Sequence, residues 1–250
     1  MTPVTGENRH APARRLDLRG SMNDDGVRMR IVAMMSLSVL ALASGCGVVR
    51  EARMAQPVSL VAVAEESFGK PGWGRRGEFA LSGQRVSYDR GADRLSLFDT
   101  LATGRAPLRY TWATPTGDSQ AECTARQTEV SRGVLAVATK PSTLNCRWSG
   151  ASDAVMDVGE GRVQWGQQTR EGRYRRGDLT LDVRSVHRLE GSAIATGSPV
   201  GYEFLRGGEV VGSVDLSRGV PRLRRPDAAT PLGRAVAEAA LAVALVWEPA

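Results

Sequence analysis

The sequence predicts a mainly β fold, an antiparallel barrel or sandwich of about twelve strands with a hydrophobic C-terminal helix buried in or against it. Three observations predict it. From residue 78 onward, short runs of period-two alternation are cut by Gly, Pro, Asp or Ser every 8–12 residues, the spacing of antiparallel strands joined by turns. Arg206-Gly207-Gly208-Glu209 is a two-residue hairpin signal. Residues 239–247 are nine apolar residues in a row.

Taken in order, residues 59–64 alternate weakly and read as a first strand. Residues 70–77 are Gly, Pro and Arg around a tryptophan and read as loop. Gly72, Gly74 and Gly77 spell the letters of a dinucleotide-binding GxGxxG, but that motif needs a strand before it and a helix opening after it. Here Pro71 precedes and a strand-like run follows. The strand runs are residues 79–81, 85–88, 95–99, 108–112, 121–126, 134–138, 144–148, 154–158, 162–166, 179–189, 202–206, 209–216 and 220–224. In the hairpin, glycines supply the positive φ that the favoured two-residue turns require. The expected pairs are Arg206 with Glu209, Leu205 with Val210 and Phe204 with Val211.

The helix comes last. Thr230 suits its N-cap and Pro231 its first turn, with residues 232–247 following. Its only charges are Arg234 and Glu238, and a helix apolar nearly all round must be surrounded by protein or lipid. At 1.5 Å per residue it is about 24 Å long, short of a bilayer core of about 30 Å. Burial in the β domain is therefore expected. A dozen antiparallel strands ending in such a helix resembles the tubby-like barrel, in which a helix threads the barrel. The likeness is architectural and covers residues 78–247. It implies lipid-headgroup binding and assigns no residue a role.

The N-terminus carries an address. Arg28 and Arg30 flank the entry to an apolar run, residues 31–43, that is closed by Ala43, Ser44, Gly45 and Cys46. A basic start, a short apolar run and a small-residue exit describe a secretory signal peptide. The cysteine directly after Ala43-Ser44-Gly45 resembles the lipobox of bacterial lipoproteins, with Ala43 and Leu42 where the commonest form has Leu at the third position before the cysteine. That resemblance implies cleavage before Cys46, lipid on Cys46, and, since Gly47 rather than Asp follows, the outer membrane. Residues 1–28 are polar and precede the signal, so translation is expected to start at Met29, with Met22 the alternative. The expected organisation is upstream residues 1–28, signal peptide 29–45, lipidated tether 46–58 and one β domain 59–250 with its helix at 231–247.

Beyond residue 45 the chain has 27 basic and 23 acidic residues, with Lys70 and Lys140 the only lysines. This mild positive balance excludes a nucleic-acid-binding tail. With Cys46 acylated, Cys123 and Cys146 remain, an even pair that reads as one disulfide in an oxidising compartment.

Little else points to chemistry. His187 is the only histidine after residue 45, so a histidine-based zinc site is not expected, nor any cofactor. A serine triad would have to use His187 as base, and no G-x-S-x-G elbow is present; Gly197-Ser198-Pro199-Val200-Gly201 misplaces its serine. The richest polar feature is arginine: Arg75, Arg76, Arg173, Arg175, Arg176, Arg222, Arg224 and Arg225. Guanidinium forks suit phosphate and carboxylate, so these residues are the candidate anion-binding set if the fold brings them together. The expected function is a lipid-anchored envelope protein that binds or scaffolds rather than catalyses, with the membrane, anionic lipid or other envelope components as partners. An envelope hydrolase is the alternative, to be favoured by a pocket that collects His187 with Ser and Asp side chains.

Overall fold

A computed structural model describes residues 51–246 apart from 73, 98–100, 133–134, 151–152 and 163–165, and leaves side chains undescribed over 94–102 and 128–141. The expected signal peptide, Cys46 and Trp247 lie outside the described residues. Glu51–Ala250 form one compact unit.

Among the described residues, thirteen strands and one α-helix build this unit. The chain opens with β1 (Glu65–Ser67), β2 (Arg76–Leu81), β3 (Gln84–Arg90) and β4 (Asp93–Leu97). Three long strands follow, β5 (Leu101–Trp112), β6 (Ser119–Arg132) and β7 (Leu135–Gly150). Then come β8 (Ala154–Glu160), β9 (Arg170–Arg176), β10 (Leu179–Val186), β11 (Gly201–Arg206), β12 (Glu209–Asp215) and β13 (Arg222–Arg224), and last the helix α1 (Pro231–Leu245).

All neighbours pair antiparallel, in the order β1-β13-β12-β11-β10-β9-β8-β7-β6-β5-β3-β2, with β4 beside β5. The two ends of this path nearly meet. Phe68, just past β1, bridges Leu81 of β2, and the Gly69 N–H donates to the Ala80 carbonyl at 2.7 Å. The twelve-strand path is thus a nearly closed barrel, which leaves almost no open sheet edge.

Helix α1 is the core of that barrel. Residues 235–243 are all buried, and the helix meets side chains from strands all round the wall: Arg90 of β3, Tyr110 of β5, Ser119 of β6 and Tyr174 of β9 all hydrogen-bond to it. Its small residues let it approach the wall closely. At Gly212 of β12 an added Cβ would lie 2.5 Å from Val236 Cγ1. The Thr230 hydroxyl caps the start, accepting from the Gly233 N–H at 3.0 Å. Among the described residues no helix is long and apolar enough to cross a membrane.

Several expectations are corrected. Residues 59–64 are not a strand: a 3-10 turn (Val58–Leu60) follows Pro57, and the Arg224 guanidinium gathers the carbonyls of Leu60, Val61 and Val63, so pairing starts only at Glu65. Runs 134–138 and 144–148 are one strand, β7. Arg162 and Gly166 lie in a bend and a turn. The next strand, β9, was not foreseen, because of its seven residues only Tyr174 is a large apolar side chain. The hairpin forms with Gly207 at φ 59° and Gly208 at φ 86°, and with the pairs Arg206–Glu209 and Leu205–Val210. A bulge then shifts the register, so Phe204 faces Gly212 and not Val211. The domain also begins earlier than residue 59, because Met54 is buried and its N–H donates to Asp215 at 3.1 Å.

Candidate functional site

Alternation decides which polar side chains enter the barrel. On β9, Arg170, Gly172, Tyr174 and Arg176 face inward, while Glu171, Arg173 and Arg175 face out. Arg176 thereby reaches Glu238, which is fully buried on the second turn of α1, at 2.5 Å. The same carboxylate accepts from Ser119 Oγ at 2.8 Å and Tyr174 Oη at 2.5 Å. Tyr110 Oη donates to the Glu238 carbonyl at 2.8 Å and accepts from Trp148 Nε1 at 2.7 Å. Burial first, and then the Glu238 charge, push both the Tyr110 and Tyr174 phenols above their ordinary range. Both therefore stay protonated and donate. This network is buried, lines none of the described cavities, and ties the helix to strands β5, β6 and β9. Glu238 was legible only as one charge in an apolar helix.

The candidate arginines do not converge on one face. Arg76 pairs with Asp89 at 2.7 Å, Arg173 with Asp182 at 2.9 Å and Arg175 with Asp157 at 3.5 Å, all exposed. Arg75 is exposed just before β2. Arg222 and Arg224 share Glu65 at 3.0 and 3.2 Å. Arg176 and Arg225 turn inward. The buried Arg225 holds Glu66 at 2.9 Å, donates to the Gly233 carbonyl and stands over the Trp112 ring at 5.7 Å. Burial alone would raise the Glu66 carboxyl. The Arg225 and Ser82 hydrogen bonds and the Arg225 charge outweigh it and hold Glu66 below the usual carboxylate range.

His187 is buried just past β10. Its Nδ1 lies 3.0 Å from the Thr196 carbonyl, so that nitrogen donates, and Nε2 accepts from Ser185 Oγ at 3.0 Å. Ser185 Oγ in turn accepts from the Arg170 N–H at 2.8 Å. Among the described residues no carboxylate joins the pair, and neither residue lines a described cavity. Cys123 and Cys146 face each other on β6 and β7 and form a disulfide.

Arg173 and Arg175 line one cavity of about 900 Å³ with Val183 and Leu205, but Asp157, Glu171 and Asp182 share it. A cavity of about 300 Å³ that combines cations with apolar surface lies at the end of the barrel where α1 terminates. Val243, Ala244, Val246 and Leu216 give it an apolar floor, and Arg90, Arg170 and Arg218 bring three guanidinium groups; its described lining holds no carboxylate. Arg90 donates to the Leu245 carbonyl at 3.2 Å and to Gly72 at 2.6 Å, so it also caps the negative end of the helix. Burial lowers the Arg90 guanidinium from its ordinary range, which still leaves it charged at neutral pH. The GxGxxG glycines serve this packing: the Gly72 carbonyl binds Tyr88 and Arg90, and Gly77 lies flush against the Tyr88 ring. Arg218 has a side chain only 10 % exposed. It pairs with Glu51 through Nη1 at 2.8 Å and with the Ala52 carbonyl through Nε, while its buried Nη2 has no partner among the described residues. None of these three arginines belongs to the clusters that stand out in the sequence. They lie far apart in the sequence, Arg170 at the head of the strand that carries Arg173, Arg175 and Arg176, and only the closure of the barrel gathers them.

The fold and this mouth define a nearly closed antiparallel barrel filled by its own C-terminal helix, with a cationic cavity at one end. No protein-family model, curated protein or solved structure matches the chain.

Proposed function

We propose that this is a lipid-anchored lipoprotein of the cell envelope, held in the outer membrane through Cys46, whose barrel binds or scaffolds and does not catalyse. Its ligand class is the anionic lipid headgroup. The observation that carries the ligand class is the mouth: three arginines line it around an apolar floor. A phosphate carrying an apolar tail matches both parts. The disulfide supports export to an oxidising compartment, and the signal-like run with its closing cysteine supports the anchor. The tubby-like resemblance points to the same ligand class.

A short-chain phosphatidylglycerol, monomeric in solution, tests the ligand. A hydrogen bond to a charged group is worth about 1.5–3 kcal/mol, so Arg218→Gln should weaken its binding by roughly ten- to a hundredfold. Equal binding by both proteins overturns the site. Membrane fractionation tests the anchor, since Cys46→Ser should leave the membrane fraction. The Ser185–His187 hydrogen bond is the one observation favouring the alternative, a hydrolase. That reading requires Ser185 to react with a phosphonate probe; on the binding reading it stays unlabelled.

A further inference from the structure

Four large apolar side chains are exposed among the described residues: Val58 at 90 %, Val61 at 65 %, Ile194 at 80 % and Val155 at 36 %. The first three belong to two segments joined on the outside of the barrel wall. Residues 51–63 cross β12, with Ser59 Oγ donating to the Val210 carbonyl, and tuck Met54 and Leu60 beneath them. The loop between β10 and β11 folds back onto the same segment. Met54 bridges Leu189, the Ala55 N–H donates to the Arg188 carbonyl at 2.9 Å, and the Glu190 N–H donates to the Arg53 carbonyl at 2.8 Å. Val61 and Ala193, the neighbour of Ile194, line one cavity of about 580 Å³ together with the exposed Arg53, Arg188 and Glu190, while its other two carboxylates are held by the fold, Glu65 by Arg222 and Arg224 and the buried Asp215 by the Met54 N–H. Val155 lies apart on β8, four strands from β12, roughly 19 Å around the wall at 4.8 Å per strand.

The length of chain ahead of this face indicates what covers it. Cys46 precedes Glu51 by five residues, and five extended residues reach at most about 18 Å. A lipid on Cys46 would hold the segment that begins at Glu51 within that distance of the bilayer. We propose that the face carrying Val58, Val61 and Ile194 rests on the membrane in which Cys46 is anchored. The apolar tips enter the boundary between headgroups and acyl chains, and Arg53 and Arg188 meet lipid phosphates. Apolar tips with cations beside them suit such an interface, and here two exposed arginines outnumber the one exposed carboxylate, Glu190. This inference rests on the lipoprotein reading above, and it orients the barrel with one wall, not its closed end alone, toward lipid.

The test uses the full chain, matured in cells and reconstituted into vesicles of phosphatidylethanolamine and phosphatidylglycerol. Val61→Cys, Ile194→Cys and Val155→Cys are made singly and labelled with bimane, the Cys123–Cys146 disulfide and an acylated Cys46 leaving one free thiol in each. Doxyl-labelled lipids should quench the label at 61 and 194 and leave 155 unchanged. Vesicle-bound protein with no quenching, or with equal quenching at all three positions, overturns the contact face while the anchor stands. Self-quenching at 61 and 194 without any response to doxyl lipid overturns it in favour of a second copy of the chain. A different signature, labelling of Cys46 itself in protein that stays off the vesicles, would bring down the lipoprotein reading and this inference with it.

Discussion

Removing Arg176 tests whether the Glu238 network pins the helix. Arg176→Met leaves a carboxylate that is fully buried, its side chain 0 % exposed, with only two hydroxyl donors, Ser119 and Tyr174. Breaking a buried pair from one side costs about 3–5 kcal/mol, because the remaining charge is uncompensated. Glu238→Leu removes the charge instead. It strands the Tyr174 and Ser119 hydroxyls, at about 1–3 kcal/mol for each group left unsatisfied, but Arg176 is 13 % exposed and can turn toward water. The double variant should be more stable than the sum of the two losses predicts, since the charge that Arg176 neutralised is gone. The assay is urea unfolding of the oxidised protein followed by tryptophan fluorescence. With a slope near 2 kcal/mol/M, typical of small proteins, Arg176→Met should lower the midpoint by roughly 1.5–2.5 M. Coupling of at least 1 kcal/mol is expected between the two sites. Losses that add within about 0.5 kcal/mol, the behaviour of independent sites, would refute the claim that this pair acts as one unit.

Leu241 is fully buried at the middle of α1, so Leu241→Asp should abolish cooperative unfolding, as should ending the chain after Asp227; a sigmoidal transition at an unchanged midpoint would remove the helix from the core. Reducing Cys123–Cys146 should cost about 3 kcal/mol, the chain-entropy value for a loop of this length, and thiol labelling of the denatured, unreduced protein should find neither cysteine. The carboxyl of Glu66 is held low in the fold, so its contribution is present above the unfolded carboxylate value of about 4.3 and lost as pH falls through the lower folded value. Glu66→Gln should therefore lower the midpoint at pH 7 and converge with the unaltered protein as acid protonates the folded carboxyl, and a gap that stays unchanged from pH 7 into acid would contradict the sign.

Short-range pattern made much of this fold legible. Period-two runs cut by turns gave most of the strands, Gly207-Gly208 gave the hairpin, and Thr230-Pro231 ahead of an apolar run gave the helix with its cap. These are local facts, because the conformational preferences of Gly and Pro and the two periodicities act over a few residues. Strand β9 escaped because its inward face is built of Arg170, Gly172 and Arg176 around one tyrosine, residues that look like a loop until their partners are known. The disulfide was reached from compartment and cysteine count, a chemical argument that needed no geometry.

Closure of the barrel decided the rest. Arg173 and Arg175 face outward and pair with Asp182 and Asp157, while Arg176, one residue further on, turns in to a helix 62 residues away in sequence. The mouth gathers Arg90, Arg170 and Arg218 from three separate stretches of chain. Which charges meet which partners, and which of them line a cavity, depends on strand order and register. The sequence by itself determined most of the strand segments, which segment must be buried, and where an export signal would lie. Tertiary structure alone decided which polar groups fix the helix and which could meet a ligand, since Coulomb and hydrogen-bond energies depend on distances that no local pattern sets.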